Sequence, residues 1–193
     1  SSDGIPYIFH DETLTRLLNR NDVFSSLHSS EIDNLKIFKE HSIPKLETVL
    51  TMFPDMKFQI DVKTDEVAMP ALAVIQENNA MDRVCIASFN SKRLSLVNNN
   101  YPDICISMGP YEVAKMLLSS FGLYKKTILG NCLQIPIYEY GIKLVTKRFV
   151  KFIHSKGLKV CVWTINDEKT FKYLIDLEVD GIITDKPKLL FEV

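Results

Sequence analysis

Short apolar runs alternate with longer amphipathic stretches over most of the chain. Strand-like runs begin near Phe58, Arg83, Asp103, Asn131, Lys159 and Asp180. Between them, apolar residues fall at helical spacing over 66–78, 91–98, 112–121, 146–155 and 168–177. Successive strand starts are 20 to 28 residues apart, Arg83 to Asp103 being the shortest interval and Asp103 to Asn131 among the longest. That is the length of one strand–helix unit, and parallel strands need such crossovers. Lys156-Gly157 ahead of Lys159 predicts a helix stop, with Gly157 in a left-handed cap.

The first third is less regular. A short apolar run from Gly4 to Phe9 follows an Asp3-Gly4 turn and delivers His10-Asp11 at its end. The stretch 11–43 has little long periodicity and reads as a small inserted segment. Within it Ser29-Ser30-Glu31 predicts a helix start, with Ile32 and Leu35 on its apolar side. Ile43-Pro44 opens a better helix through Leu46, Val49, Leu50 and Phe53. In Phe58-Gln59-Ile60-Asp61-Val62-Lys63, the period of two sends Asp61 and Lys63 to the same side.

Such alternation fits an open doubly wound sheet or a closed eight-stranded barrel. There is no G-x-G-x-x-G and no Walker loop, the usual marks of the former. Polar residues cluster at strand ends: His10, Asp61 with Lys63, Ser88-Phe89-Asn90, Gln134, Trp163-Thr164 and Thr184-Asp185. A barrel gathers those ends at one mouth, where chemistry is normally built. The expectation is therefore an α/β chain, a TIM-type (β/α)8 barrel that is N-terminally incomplete. Six strands and the Ile5–Phe9 run are counted toward it, in a single domain spanning 1–193.

Composition narrows the partners. The 193 residues are 46% hydrophobic and 24% charged, an ordinary globular balance that can bury one sizeable core. A net charge of -1 gives no overall electrostatic footprint for nucleic acid. No run of about 18 apolar residues offers a transmembrane segment. The four cysteines (Cys85, Cys105, Cys132 and Cys161) stand singly inside apolar runs, without metal-finger spacing. They read as small buried residues and favour a reducing compartment, the cytoplasm. The first residue is Ser1 with no signal-type segment before it, so either something was removed or the sequence begins part-way through a protein. Oligomeric state is not legible.

Several motifs, in order, resemble the glycerophosphodiester phosphodiesterase family. They are Asp3-Gly4-x-Pro6-Tyr7-Ile8-Phe9-His10-Asp11-x-x-Leu14-x-Arg16, Ile43-Pro44-x-Leu46-Glu47-x-Val49-Leu50 and Ile60-Asp61-Val62-Lys63. Ala87-Ser88-Phe89-Asn90, Val162-Trp163-Thr164-Ile165-Asn166 and the run from Val179 to Pro187 follow in the same sequence. The resemblance implies metal-dependent hydrolysis of glycerophosphodiesters, or of lysophospholipids in some relatives. Products would be glycerol 3-phosphate, or its acyl form, and an alcohol. It implies two histidines as acid and base and a divalent cation, Mg or Ca, on three carboxylates. Carried over by position, His10 resembles the second histidine, Asp61 the third metal ligand and Lys63 the cation beside the phosphate. Trp163 resembles the aromatic wall of the substrate pocket, with Phe89 and Gln134 as further substrate-binding candidates.

The chain also departs from the family pattern. The family's His-Arg-Gly strand and its Glu-x-Asp strand precede the Asp-Gly turn, and neither occurs in these residues. Most relatives carry Glu where Asp61 stands, and a subset carries Asp. A catalytically inactive barrel acting as a binding module is the alternative function. Each candidate also has a structural reading. His10 could close a strand, Asp61 and Lys63 could form a rim ion pair, and Trp163, Phe89 and Gln134 could only pack. Asp185 with Lys186-Pro187 reads as the stop of the last strand. His28, His41 and His154 read as solvated. The stretch from Lys115 to Lys126 could touch a lipid surface or form an outer barrel helix, and the helix is preferred.

Overall fold

All six strand-like runs form strands, each starting within two residues of its expected position. A computed structural model describes residues 1–193, which fold as two compact units. One comprises Ser1–Cys85 with Asn100–Ile104, the other Ile86–Asn99 with Cys105–Val193. No helix is long and apolar enough to cross a membrane.

The first unit contains α1 (Thr15–Leu18), a 3-10 turn at Phe24–Ser26 and α2 (Ser29–Ile32). A hairpin of β1 (Lys36–Ile37) and β2 (His41–Ser42) follows, then α3 (Leu46–Met52), β3 (Phe58–Asp61) and α4 (Asp65–Glu77). Leu14, Leu27, Ile32 and Ile43 form a small core of their own, with Phe9 stacked on Phe24 at 4.4 Å between ring centres. The Ile5–Phe9 run does not become a regular strand. Only Tyr7 bridges, antiparallel to Lys45, flanked by bonds from Ile8 N to Pro44 O and from Leu46 N to Pro6 O. Pro6 and Pro44 lack the N–H groups that a longer ladder would require.

The approach to β3 is fixed from a distance. Arg83 Nη1 donates to the carbonyls of Phe53 at 3.0 Å and Met56 at 3.1 Å, and Nη2 donates to Leu50 O at 2.9 Å. Those oxygens belong to the end of α3 and the turn after it, where the helix leaves acceptors unsatisfied. Phe58 N in turn donates to Arg83 O.

The chain passes between the units within β4 (Val84–Ala87). Then come α5 (Ser91–Asn100), β5 (Cys105–Met108), α6 (Pro110–Ser120), β6 (Cys132–Ile135) and the hairpin β7 (Tyr138–Glu139) and β8 (Ile142–Lys143). The chain ends with α7 (Lys147–Ser155), β9 (Lys159–Val162), α8 (Glu168–Asp176), β10 (Gly181–Ile182) and α9 (Pro187–Phe191). In the second unit β5 pairs with β6, β6 with β9 and β9 with β10, all parallel. Neighbours therefore follow chain order without the reversal of a doubly wound sheet, and the architecture is that of a TIM-type α/β barrel.

Leu133, Ile135, Val160 and Val162 pack with Phe149, Val150 and Ile153 of α7 and with Phe171 and Leu174 of α8. Thr146 caps α7 by accepting from Phe149 N, and Asp167 caps α8 by accepting from Thr170 N. Gly157 takes the left-handed conformation expected of it, at φ 71°. Gly130 is constrained more tightly. Its φ is 129°, and a Cβ there would lie 2.6 Å from Met108 Cγ. The four cysteine side chains are thiols, two buried and two half-buried. His154 is not merely solvated: its Nε2 lies 2.8 Å from Asp180 Oδ2. Asp180 also accepts from Val160 N and from Lys159 Nζ, so one carboxylate ties α7 to the start of β9.

Candidate active site

His10, Asp61 and Lys63 line one cleft of about 840 Å³ in the first unit, with Ile8, Phe9 and Phe24 on its apolar side. β3 ends at Asp61, and α4 begins at Asp65, so Val62, Lys63 and Thr64 form a strand-to-helix turn. Asp61, Val62 and Lys63 all line the cleft, Val62 as a buried residue of its apolar floor. Lys63 Nζ donates to Asp61 Oδ2 at 2.6 Å. Asp61 Oδ1 is buried and has no hydrogen-bond partner. A carboxylate oxygen withdrawn from water without a donor calls for an explanation, and a hard cation that prefers oxygen ligands supplies one. The residues present therefore fit a divalent cation, with Asp61 as their contribution to its ligands.

His10 is largely exposed, with 81% of its side-chain surface accessible. Its orientation comes from Asp11, whose Oδ1 lies 2.8 Å from His10 Nδ1. Arg16 grips the same carboxylate with both ends of its fork: Nε donates to Oδ2 at 2.7 Å and Nη2 to Oδ1 at 3.0 Å. The hydrogen bond from Arg16, then the one from His10, hold the Asp11 carboxyl down at about 2. Asp11 is thus ionised near neutrality and can only accept. The proton of a neutral His10 ring then sits on Nδ1, leaving the Nε2 lone pair available for proton transfer. Sequence reading named His10 but missed Asp11 and Arg16 as its support. The signal was the His10-Asp11 adjacency with an arginine five residues after Asp11, in α1.

The other three candidates lie in the second unit. Gln134 is on β6 opposite Cys161 of β9, and Trp163 follows β9 with its N–H donating to Ile135 O. Trp163 is two positions on from Cys161, so Gln134 and Trp163 project from the same face of neighbouring strands. Gln134 Nε2 is buried without a hydrogen-bond partner, as Asp61 Oδ1 is. Trp163 is half-buried, whereas Phe89 is 69% exposed just beyond β4. Asn166 Nδ2 donates to Asp185 Oδ2, and Asn166 Oδ1 accepts from Thr184 Oγ1 and Asp185 N. Asp185 is thereby held in the loop beyond β10.

Parallel strands in chain order, each followed by a helix, define the α/β-barrel class. The glycerophosphoryl diester phosphodiesterase family model matches residues 1–189, and the chain belongs to that family. It is therefore an enzyme of the phosphodiesterase class. It is 30% identical over 200 residues to "Probable glycerophosphodiester phosphodiesterase 2" of Mycobacterium tuberculosis, an alignment spanning 99% of this chain and 75% of that protein. A glycerophosphodiester phosphodiesterase of Caldanaerobacter subterraneus is 26% identical over 208 residues, with coverage of 100% and 82%. Among solved structures, an Oleispira antarctica phosphodiesterase in complex with the product sn-glycerol-3-phosphate aligns with a TM-score of 0.80 at 21% identity. That alignment covers all of this chain and 80% of the other, and it shows a shared fold.

Proposed function

We propose that the chain hydrolyses glycerophosphodiesters to glycerol 3-phosphate and an alcohol with the help of a divalent cation, Mg or Ca, and that lysophospholipids are a second substrate class. The single observation that carries this reading is the convergence of His10, Asp61 and Lys63 on one cleft, with a buried carboxylate oxygen left open. Net hydrolysis adds water across one P–O bond: the attacking oxygen loses a proton and the departing alkoxide gains one. His10 Nε2 transfers one of those protons, and Asp11 stabilises the imidazolium that forms when it accepts. Lys63 places a point charge beside the phosphoryl oxygens, where negative charge must be neutralised. Asp61 would hold the cation through Oδ1. When bound, that cation supplies Lewis-acid stabilisation of the phosphoryl group. Ile8, Phe9 and Phe24 give the cleft an apolar wall suited to glyceryl or acyl carbons. In the second unit, Trp163, Phe89 and Gln134 serve substrate binding.

The test is release of glycerol 3-phosphate from glycerophosphocholine in the presence of Mg or Ca, followed with a coupled enzymatic assay. His10→Ala is expected to lower turnover by at least about 100-fold. Unchanged turnover in that variant rejects the assignment. Replacing the substrate with a lysophospholipid tests the second class, with the acylated product read by mass spectrometry.

A further inference from the structure

Charge is distributed unevenly along this nearly neutral chain. Between Glu112 and Asp167 there are nine lysine or arginine residues and a single acid, Glu139, against a net charge of -1 for the whole. This stretch contains most of α6, all of α7 and the strands and loops between and after them. Its excess positive charge meets exposed apolar surface at the C-terminal end of α6.

An outer barrel helix would turn its apolar residues inward, and α6 does so with Val113 and Met116. Leu118, Phe121 and Leu123 do not follow. They are 46%, 55% and 75% exposed, and the last two lie beyond the helix end at Ser120. Packing in an outer helix therefore leaves these three side chains unexplained. Basic groups are built around them. Arg148 at the start of α7 lies over the Phe121 ring at 4.5 Å and donates to Ser120 O at 3.0 Å. Lys115 stands over Tyr111 at 3.9 Å, and Lys125 and Lys126 are exposed immediately after Tyr124.

We propose that this end of α6, with the loop through Lys126 and the first turn of α7, docks on an anionic lipid bilayer. Leu118, Phe121 and Leu123 enter the acyl boundary, and the surrounding cations meet anionic headgroups. Protruding aliphatic and aromatic side chains ringed by lysine and arginine match the chemistry of an interfacial anchor. Nucleic acid would use the cations but gain nothing from two exposed leucines, since base stacking requires flat π-faces. The inference goes beyond the hydrolytic reading and stands without it, because none of these residues belongs to the catalytic cleft.

Co-sedimentation of the whole chain with vesicles tests it, using phosphatidylcholine alone and phosphatidylcholine mixed with phosphatidylglycerol. Binding to the mixed vesicles that exceeds binding to the neutral ones and weakens with salt is expected. The double variant Lys125→Glu/Lys126→Glu should weaken it by roughly ten- to thirty-fold, and Leu123→Ser should weaken it at unchanged charge. Circular dichroism melts matching the wild type keep a folding defect from imitating either effect. Turnover of a soluble glycerophosphodiester should equal that of the wild type in both variants. The proposal is overturned if the wild type ignores anionic vesicles at low salt or binds neutral vesicles equally well. It is also overturned if Leu123→Ser binds like the wild type, or if a DNA oligonucleotide is held more tightly than the vesicles.

Discussion

Lys63 and Asp61 meet at 2.6 Å through Nζ and Oδ2, which leaves Oδ1 as the buried oxygen that nothing in the chain satisfies. The two oxygens of one carboxylate thus have different duties. One is neutralised internally, and the other is buried without a donor.

Asp61→Asn keeps the shape of the side chain and removes its charge. Cation binding should raise the melting temperature of the wild type by mass action and leave that of the variant unmoved. Turnover at a fixed cation concentration should fall by at least about 100-fold. Differential scanning fluorimetry with and without Mg or Ca, alongside the hydrolysis assay, reads both effects.

Asp11→Asn tests the orientation of His10. An amide can present an N–H to Nδ1 and favour the other tautomer, whose proton sits on Nε2. Expected is a roughly 10- to 100-fold loss in kcat with KM little changed. Arg16→Lys should do less than Arg16→Ala, because an ammonium keeps the charge but not the two-point grip. Steady-state kinetics across pH separate these effects from simple loss of fold.

Acid should weaken the first unit through the same carboxylate. The folded-state value for Asp11, about 2, is below that of an unfolded aspartate, near 4. Its contribution is therefore fully present above the unfolded value and is lost as pH falls through the folded one. Asp22 and Asp33 are also held low, the former first by Arg20 and the latter first by Tyr7, and add to the same trend. Urea midpoints measured from pH 5 down to about pH 2 should decline over that window, with a shallower slope in Asp11→Asn.

In the second unit, Asp180→Ala should be among the more damaging substitutions outside the hydrophobic core. It strands Val160 N, which donates at 2.8 Å, and removes the partner of His154. An unsatisfied buried donor costs about 1–3 kcal/mol, readable as a lower urea midpoint at unchanged slope.

The regular part of this fold was legible because each strand is a compact apolar run closed by a recognisable helix start or stop. The strand Lys159–Val162 could be placed from Gly157 and the alternation of Val160 and Val162 alone. Less regular parts escaped for local reasons. The two hairpins have strands of only two residues, too short for periodicity. Ile5–Phe9 reads as a strand by composition, yet prolines at 6 and 44 remove the donors on both sides. His154 looks like a surface residue until Asp180, distant in sequence, is placed against it. His10, Asp61 and Lys63 stand out because they close apolar runs, and the resemblance to the phosphodiesterase family is what assigned them roles. Their grouping in one cleft depends on contacts that no local pattern encodes.

Three main-chain oxygens from Leu50, Phe53 and Met56 converge on the guanidinium of Arg83. Substitutions in the intervening turn are consequently tolerable in kind but not in length, since an inserted residue would carry at least one oxygen out of reach of a rigid planar group. Lysine at position 83 could follow only some of them. The position of the carboxylate at the end of the next strand is governed in this way by a side chain that never approaches the cleft.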